Sequence, residues 1–312
     1  MKVEMVVGDV KVEVGLDKLV LAMPYPKKLK ADISNPITAI QIAQYESEKA
    51  EFVSAMHYIK NMVVDNFKCH PKITKNKDLK RYSVFFDEGG LMCTFLLGFC
   101  YGTCVINLEV NPSKMNPKQW KEFISTIDGF FNLGYKELYT KAVVSHAEFF
   151  IDVPDEDLSG LVLIDNSRRN TSTYKTTTYQ GKRGSPLVAT MYDKAEQQKI
   201  EGNLVRVEAR INRNDIRFQD LVENDLFNPL SNSLVVNVTK LKSIAQEFNK
   251  SQFVNHIKEF GLSSSGINKY TRKKMLARLK ENTTSWWQPE LFWATHREML
   301  MKFRPNHVGG IA

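Results

Sequence analysis

The sequence predicts an α+β fold, with an antiparallel sheet flanked by helices and followed by a helical C-terminal region. Three observations predict it. First, β-rich runs recur up to residue 212, and short turns of glycine or acidic residues separate them. Second, two amphipathic segments interrupt these runs. Third, from about Asn214 onward the spacing of the apolar residues becomes helical.

The N-terminal part predicts a strand hairpin followed by a long helix. The first 23 residues alternate apolar and charged side chains on either side of Gly8-Asp9, which is a turn sequence. In Pro36–Phe67 the apolar residues Ile40, Phe52 and Met56 recur at helical spacing, so this segment predicts an amphipathic helix.

The middle of the chain predicts a series of strands. The runs YSVFFDE, MCTFLLGF and TCVINLEV come first, and NPKQWKEFISTIDGFF then predicts a helix because Asn is a good cap and Pro suits the first turn. The strands predicted after this helix are VVSHAEFFID, STYKTTTYQ, PLVATMYD and NLVRVEARIN.

The last part of the chain predicts helices at residues 239–260, 267–280 and 289–301, with a turn at GLSSSG. The first two of these segments are rich in lysine and arginine, which indicates a basic surface or simply a solvated helix face. Apolar spacing around Trp286, Trp287 and Trp293 predicts that these indoles pack in a core. We therefore predict two modules, residues 1–222 and residues 223–312.

Composition narrows the classes of function. The chain has 312 residues, a net charge of +8 and 43% hydrophobic residues, which is typical of a globular protein with a polyanionic partner or a charged surface. No apolar run approaches the roughly 20 residues that span a bilayer, and the N-terminus lacks a secretory apolar segment. We expect a cytoplasmic protein without membrane contact. The spacing of the four cysteines predicts free thiols.

Charged residues occupy alternate positions in several predicted strands, so each strand has one charged and one apolar face. The residues predicted to share charged faces are His146, Glu148, Phe150 and Asp152; Asn107, Glu109 and Asn111; and Arg206, Glu208 and Arg210. Such faces either meet solvent or converge on a site. If they converge, the carboxylates suit Mg²⁺ or Mn²⁺, and Arg206 and Arg210 suit a phosphodiester.

Tyr192 ends one of these strands, and Lys194 follows two residues later. A free phenol has a pKa near 10, so it needs a base or a cation beside it to act as a nucleophile at neutral pH. Lys194 or a metal could supply that help. The alternative is that Tyr192 only packs.

The order of these residues resembles a known family. The chain has His146-Ala-Glu148-Phe-Phe-Ile-Asp152, then Tyr179-Gln-Gly181-Lys-Arg183-Gly-Ser185, Tyr192-Asp-Lys194 and Arg206-Val-Glu208-Ala-Arg210. This series resembles the plasmid rolling-circle replication initiators of the replication-initiation-factor type and the nicking protein of filamentous phages. Their pattern is R-x-D-x-x-x-D, Y-x-G-x-R-x-S, Y-x-K and R-[VF]-E.

The resemblance implies a nickase-like catalytic domain in residues 1–222 and a basic helical region in residues 223–312. It implies a DNA-nicking and strand-transfer endonuclease whose nucleophile is Tyr192, assisted by Lys194. The protein would stay joined to the 5′ phosphate and leave a 3′ hydroxyl that primes a polymerase. The implied metal ligands are Glu148, Asp152, Glu208 and Glu109, and the implied DNA contacts are Lys182, Arg183, Arg206 and Arg210.

The implied partners are origin DNA, either single-stranded or in a hairpin, and a host helicase and DNA polymerase. Whether the protein is a homodimer stays open. The sequence departs from the family pattern at His146, where arginine is usual, and at Glu148, where aspartate is usual. Glu196 lies four residues after Tyr192, whereas the family has an acidic residue at five.

Two other classes of function were weighed. The chain could be a non-enzymatic origin-binding protein or repressor in which Tyr192 packs and the basic C-terminal helices bind DNA. A site-specific tyrosine recombinase fits less well, because recombinases carry the nucleophile late in the chain and about 120 residues follow Tyr192 here. Divalent-metal dependence and replacement of Tyr192 by Phe separate the nicking enzyme from the non-enzymatic binding protein.

Overall fold

The computed structural model describes residues 1–26, 36–67, 72–74, 76–131, 133–165, 171–182, 184–213 and 215–305. Within these residues the protein is α+β with a large antiparallel sheet, as the sequence predicts. The chain divides into two compact units. Unit 1 comprises Met1–Asp17, Ala147–Asn212 and Asp225–Met299, and unit 2 comprises Lys18–His146, Arg213–Asn224 and Leu300–Ala312.

The strands and helices follow each other in an interleaved order. The strands are β1 (Lys2–Val7), β2 (Val10–Ala22), β3 (Lys72–Ile73), β4 (Leu79–Phe85), β5 (Leu91–Cys100), β6 (Thr103–Val110), β7 (Val143–Pro154), β8 (Leu161–Asp165), β9 (Thr171–Tyr174), β10 (Thr177–Gln180), β11 (Leu187–Asp193), β12 (Leu204–Ile211) and β13 (Ser233–Asn237). The α-helices are α1 (Pro36–Phe67), α2 (Pro117–Asp128), α3 (Tyr135–Lys141), α4 (Lys194–Gln198), α5 (Phe218–Glu223), α6 (Val238–Glu247), α7 (Val254–Phe260), α8 (Lys269–Glu281) and α9 (Pro289–Met301).

Unit 1 is built on an antiparallel sheet in the order β2, β7, β12, β11, β10 and β9, with β1 paired to β2. A separate two-stranded sheet pairs β8 with β13. One face of the small sheet packs with the apolar face of the large sheet, and its other face packs under α6, α7 and α8. Unit 1 therefore has three layers, and its large sheet keeps one face out of the core.

The apolar layer of unit 1 includes the tryptophans of the C-terminal region. Trp286 and Trp287 are 2% and 4% exposed and pack among residues of β7, β11 and β12. The prediction that these indoles and Trp293 are core residues is confirmed, since Trp293 is also buried. The outer faces of α6 and α8 carry exposed lysines, including Lys242, Lys273 and Lys280.

Unit 2 contains strands in the order β3, β4, β5 and β6, followed by the second part of β2. Helix α1 lies against this sheet through Met56, Ile59 and Val63, which are fully buried. Helix α2 begins at the predicted place, because the Asn116 side chain accepts a hydrogen bond from the backbone of Gln119 and forms a capping box.

Two predicted elements are wrong in detail. STYKTTTYQ was expected to be one strand but forms the β9–β10 hairpin, because Lys175 adopts φ +52 and permits a tight turn. The helix expected over residues 239–260 is divided into α6 and α7, with Asn249 at φ +55 between them. The hairpin of the first 23 residues and the helix Pro36–Phe67 are confirmed.

The compact units are assembled from segments on both sides of residue 222. The predicted division into residues 1–222 and 223–312 concerns which part nicks and which part binds DNA, and it stays a prediction. In the part of the chain that the structure describes, no helix has the length and apolarity needed to cross a membrane. Cys93, Cys100 and Cys104 are free thiols, as predicted.

Candidate active site

The register of three neighbouring strands brings the predicted site residues of unit 1 onto one face. Tyr192 on β11 lies opposite Arg206 on β12, and Arg206 lies opposite Asp152 on β7. In the next rows, Glu208 lies opposite Phe150 and Arg210 opposite Glu148. Because alternate strand residues point the same way, these side chains share the face that the apolar core leaves free.

The opposite face explains why these strands hold their register. Ile151, Val207 and Met191 alternate with the site residues and are buried in the core of unit 1. A shift of one residue would bury the charged side chains and expose these apolar ones. The burial of one face therefore fixes which groups meet on the other.

Tyr192 lies at the centre of this face. Its hydroxyl donates a hydrogen bond of 2.6 Å to Oε1 of Glu208, and the side chain is 8% exposed. Burial raises the pKa of Tyr192 well above its usual value, and the adjacent Glu208 carboxylate raises it further. The phenol is therefore protonated in the free protein, with a carboxylate in place to accept its proton.

Glu208 is held from two sides. Nη2 of Arg210 donates to Oε2 of Glu208 at 2.6 Å, and the Thr190 hydroxyl approaches the same oxygen at 3.4 Å. Nε of Arg210 also lies 3.3 Å from Oε1 of Glu148. Arg210 thus connects the two carboxylates, and it is the more exposed of the two arginines on this face.

Asp152 is the second buried carboxylate of the face. Arg206 binds it with two hydrogen bonds, Nε to Oδ1 at 2.5 Å and Nη2 to Oδ2 at 2.7 Å. Lys194, the first residue of α4, also contacts Oδ2 at 2.5 Å. Asp152 and Arg206 are each about 5% exposed, so this ion pair is removed from water.

Two further residues contact Arg206 on this face, Asp17 and Phe150, and neither was predicted as a site residue. Oδ2 of Asp17 accepts a hydrogen bond of 3.1 Å from Nη1 of Arg206, and Cζ of Arg206 lies 3.9 Å from the Phe150 ring centroid. Gly15 makes room for that ring, because a Cβ at position 15 would lie 2.4 Å from it. The signal in the sequence is Gly15, which interrupts the alternation of apolar and charged residues two positions before Asp17.

His296 of α9 braces the same strands from the core side. Its Nε2 lies 3.1 Å from the carbonyl oxygen of Gly15 and 3.3 Å from that of Phe150. Burial lowers the pKa of His296 to about 4, so the ring is neutral at pH 7 and donates one proton to this pair of carbonyls. A helix far along the chain therefore fixes the backbone beside Asp17 and Asp152.

The described residues of this face carry one net negative charge. The carboxylates are Asp17, Glu148, Asp152 and Glu208, and the cations are Lys194, Arg206 and Arg210. All of them belong to unit 1. A phosphodiester entering here would add a further negative charge, which has to be balanced by a cation or by rearrangement of the ion pairs.

The carboxylates of this face are the groups that a divalent ion would use as ligands. Carboxylate oxygens are ligands that Mg²⁺ and Mn²⁺ prefer, and one carboxylate is in excess over the cations. In the part of the chain that the structure describes, no three acidic, histidine or cysteine side chains stand together as a ready ligand set. The reason is that arginine and lysine groups occupy the carboxylates.

The remaining predicted residues are placed as follows. Glu109 belongs to unit 2, where Oε1 lies 2.9 Å from Nζ of Lys18 and Oε2 lies 3.8 Å from Nη1 of Arg81. Lys182 is exposed in the turn between β10 and β11. Arg183 lies outside the described residues. The site face therefore contains Glu148, Asp152, Tyr192, Lys194, Arg206, Glu208 and Arg210.

Comparison with known proteins gives a remote likeness to a solved structure. No protein-family model matches the chain, and no curated protein matches it. A solved structure titled "Structure of Rolling Circle Replication Initiator Protein from Geobacillus stearothermophilus" matches with 10% identity and a TM-score of 0.38. The match covers 94% of this chain and 98% of that chain.

Proposed function

We propose that this protein is a rolling-circle replication initiator that nicks one DNA strand at an origin and attaches itself to the 5′ phosphate through Tyr192. A single observation supports this most directly. The Tyr192 hydroxyl donates to the Glu208 carboxylate at 2.6 Å, on a face that also holds two arginines and a lysine. A hydroxyl, a base and cations are what attack on a phosphodiester requires.

In the proposed reaction the Tyr192 oxygen attacks the phosphorus while its proton moves to Glu208. The bond from phosphorus to the 3′ oxygen breaks, and the leaving oxygen takes a proton from water to become the 3′ hydroxyl. The product is a 5′-phosphotyrosyl ester. Attack by a 3′ hydroxyl reverses these steps and rejoins the strand, with Glu208 returning the proton to Tyr192.

A base is needed because of the environment of Tyr192. Burial and the neighbouring Glu208 charge keep the pKa of the phenol raised, so ionisation before attack is unfavourable. Removal of the proton during attack avoids a free phenolate. A positioned general base contributes about 10²- to 10⁴-fold to such a rate.

The cations supply the second part of the proposal. Lys194 and Arg210 are more exposed than Arg206, so they are the groups that an entering phosphate would meet. Arg206 is bound to Asp152 and Asp17 and is almost fully buried. We propose that Lys194 and Arg210 contact the phosphate and that Arg206 holds Asp152 in place. Arg206 could contact the phosphate directly only if its ion pairs opened.

The proposal includes Mg²⁺ or Mn²⁺ as a cofactor. The excess carboxylate supports this. Such an ion would compete with Arg210 for the carboxylates of Glu148 and Glu208, and Asp152 lies beside them. When bound, a divalent ion neutralises charge that develops on the phosphate oxygens. Glu109 is a less direct candidate because it is paired with Lys18 in unit 2.

The proposed substrate is single-stranded DNA exposed at an origin hairpin. Lys182, in the turn before β11, and Arg183 in the sequence after it are proposed contacts to the DNA backbone. The exposed lysines of α6 and α8 are proposed to bind the adjoining duplex. A host helicase and a DNA polymerase are the proposed partners, in the cytoplasm.

One observation favours a second candidate function. Tyr192 is mostly buried and already hydrogen-bonded, which is also what a purely structural tyrosine shows. The chain would then be an origin-binding protein or repressor that uses its basic helices. The two functions differ in whether a covalent adduct forms.

The deciding experiment is mass spectrometry of the intact protein after incubation with a random pool of single-stranded oligonucleotides and Mn²⁺. The nicking function predicts protein species heavier by a covalently attached oligonucleotide, which nuclease digestion trims to a nucleotide on Tyr192. Tyr192→Phe should bind DNA and form no adduct. Tyr82→Phe is the matched control, because Tyr82 is another buried strand tyrosine, and it should form the adduct. No adduct with the unaltered protein would favour the binding function.

A further inference from the structure

The site face of the unit 1 sheet continues beyond Tyr192 onto the β9–β10 hairpin. Tyr179 lies opposite Thr190 on one side and Ser172 on the other. Thr177 lies opposite Tyr174, and the register of β10 with β11 places Thr177 beside Tyr192. Tyr192, Thr177 and Tyr174 therefore form one row of side chains across three strands.

We use the name hairpin face for Ser172, Tyr174, Thr177 and Tyr179, which point to the same side of the sheet as Tyr192. Tyr174 is 70% exposed, whereas Tyr179 is half-buried. The other side of the hairpin faces the core, where Gln180 is fully buried and accepts a hydrogen bond from Ser233. The exposed aromatic ring is thus near the tip of a hairpin whose opposite side is packed at its base, at Thr171 and Gln180.

The composition of the hairpin is unusual in charge and in hydroxyl content. Residues 171–182 contain six serines and threonines, two lysines and no acidic residue. Nζ of Lys175 lies 5.9 Å from the centroid of the Tyr174 ring. An exposed ring beside a cation, surrounded by hydroxyl donors, matches what single-stranded nucleic acid offers, namely base faces and phosphate oxygens.

The hairpin is also tied to the helix that follows Tyr192. The hydroxyl of Thr176, in the hairpin turn, donates to Oε2 of Glu196 on α4 at 2.8 Å. Helix α4 begins with Lys194, which contacts Asp152. The position of the hairpin tip is therefore fixed relative to the nucleophile rather than left to a free loop.

We propose that the hairpin face binds the single strand next to the bond that is cut, with the Tyr174 ring as the platform on which one base stacks. This inference rests on the proposed function, since it assigns where the substrate of that site lies. Neither Tyr174 nor Lys175 is needed for the chemistry, so their effect is on strand binding and on where along the strand the phosphate is placed.

The distance between the two tyrosines fits this role. Adjacent strands are about 4.8 Å apart, so Tyr174 is about 10 Å from Tyr192 across two strand spacings. That span equals about three nucleotides at the 3.4 Å rise of a stacked strand, and fewer if the strand is extended. The stacked base would then be a near neighbour of the scissile phosphate.

The test measures binding of oligothymidylate that carries a single 2-aminopurine, whose fluorescence falls when it stacks on an aromatic ring. Tyr174→Ala is compared with Tyr174→Phe and with Tyr101→Ala, which removes a fully exposed tyrosine of unit 2. Stacking on one aromatic side chain contributes about 1–3 kcal/mol per base, so we expect Tyr174→Ala to weaken binding about tenfold. It should also abolish the quenching at one position of the probe.

Tyr174→Phe should keep both the affinity and the quenching, because the ring remains, and Tyr101→Ala should change neither. If Tyr174→Ala binds and quenches like the unaltered protein, if the protein does not quench the probe at all, or if Tyr101→Ala loses as much affinity, the inference is wrong. Adduct formation by Tyr192→Phe is measured on the same probe. An adduct there would contradict the proposed function and leave the stacking result standing, so the two failures are distinguishable.

Discussion

Cζ of Arg206 lies 3.9 Å from the centroid of the Phe150 ring, while the same guanidinium donates two hydrogen bonds to Asp152. One cation thus combines an aromatic contact with a buried ion pair, and Asp17 accepts its third hydrogen bond. Asp152 belongs to the same cross-strand row as Tyr192, and Phe150 belongs to the next row. Loss of the ion pair between Arg206 and Asp152 would therefore both destabilise the protein and disturb the side chains beside Tyr192.

Arg206→Met should strongly destabilise the protein. The change leaves Asp152 buried without its main partner, and breaking a buried pair in this way costs about 3–5 kcal/mol. Urea unfolding measures it. Arg213→Met is the control, because its pair with Asp215 is exposed and such pairs contribute about 0–1 kcal/mol. If Arg206→Met and Arg213→Met cost the same, Arg206 does not hold Asp152 as described.

Glu208→Gln should reduce adduct formation about 10²- to 10⁴-fold while DNA binding persists, because the amide keeps the shape of the side chain but cannot take the Tyr192 proton. Single-turnover appearance of the covalent species measures the rate, and anisotropy with labelled single-stranded DNA measures binding. Glu4→Gln, in an exposed ion pair with Lys11, should leave both unchanged. Unaltered adduct formation by Glu208→Gln would remove Glu208 as the base.

His296 should make stability depend on pH between 6.5 and about 4. Burial lowers the pKa of this imidazole to about 4 from 6.5, so the folded state binds fewer protons than the unfolded state in that interval. Stability is fully present above pH 6.5 and falls as the pH drops, by up to about 3 kcal/mol from this group.

Thermal unfolding of the unaltered protein and of His296→Gln across pH 4 to 7 tests this, since glutamine removes the titrating group. We expect a shallower decline of Tm in His296→Gln. His57→Gln is the control because His57 is exposed on α1, and its decline should match that of the unaltered protein. Equal declines in His296→Gln and the unaltered protein would contradict the assignment.

EDTA should abolish nicking of a supercoiled plasmid, and added Mn²⁺ should restore it, if the excess carboxylate of the site face holds a divalent ion. Binding of Mn²⁺ is measured independently by its electron paramagnetic resonance signal, which falls when the ion is bound. Glu148→Gln should weaken this binding, and Glu13→Gln, paired with Lys2 at another edge of unit 1, should not. Nicking that persists in EDTA would remove the metal from the proposal.

The sequence predicts the strand faces of this site well because alternation in a strand is a local property. The residue sets that contain Asp152 and Glu208 share one face of the sheet, as expected. The strands that carry them, β7 and β12, are paired with each other. The family pattern adds which of these residues belong together. Neither source reveals that arginine and lysine side chains already occupy the carboxylates, because those contacts depend on cross-strand register.

The missed features are contacts between distant parts of the chain. Asp17 and Arg206 are 189 positions apart in the sequence, and Gly15 and His296 are 281 positions apart. No local sequence pattern can predict either contact. The β9–β10 turn was missed for a different reason. A lysine at positive φ is uncommon, and a run of threonines around it looks like an uninterrupted strand.

The sheet that carries Tyr192 uses residues from near position 17 and is braced by a helix near position 296. His296 lies 281 positions after Gly15, so the ribosome releases the two segments at well-separated times, and a domain folds only once its parts have emerged. The face around Tyr192 can therefore reach its braced form only after the segment that carries His296 has been released.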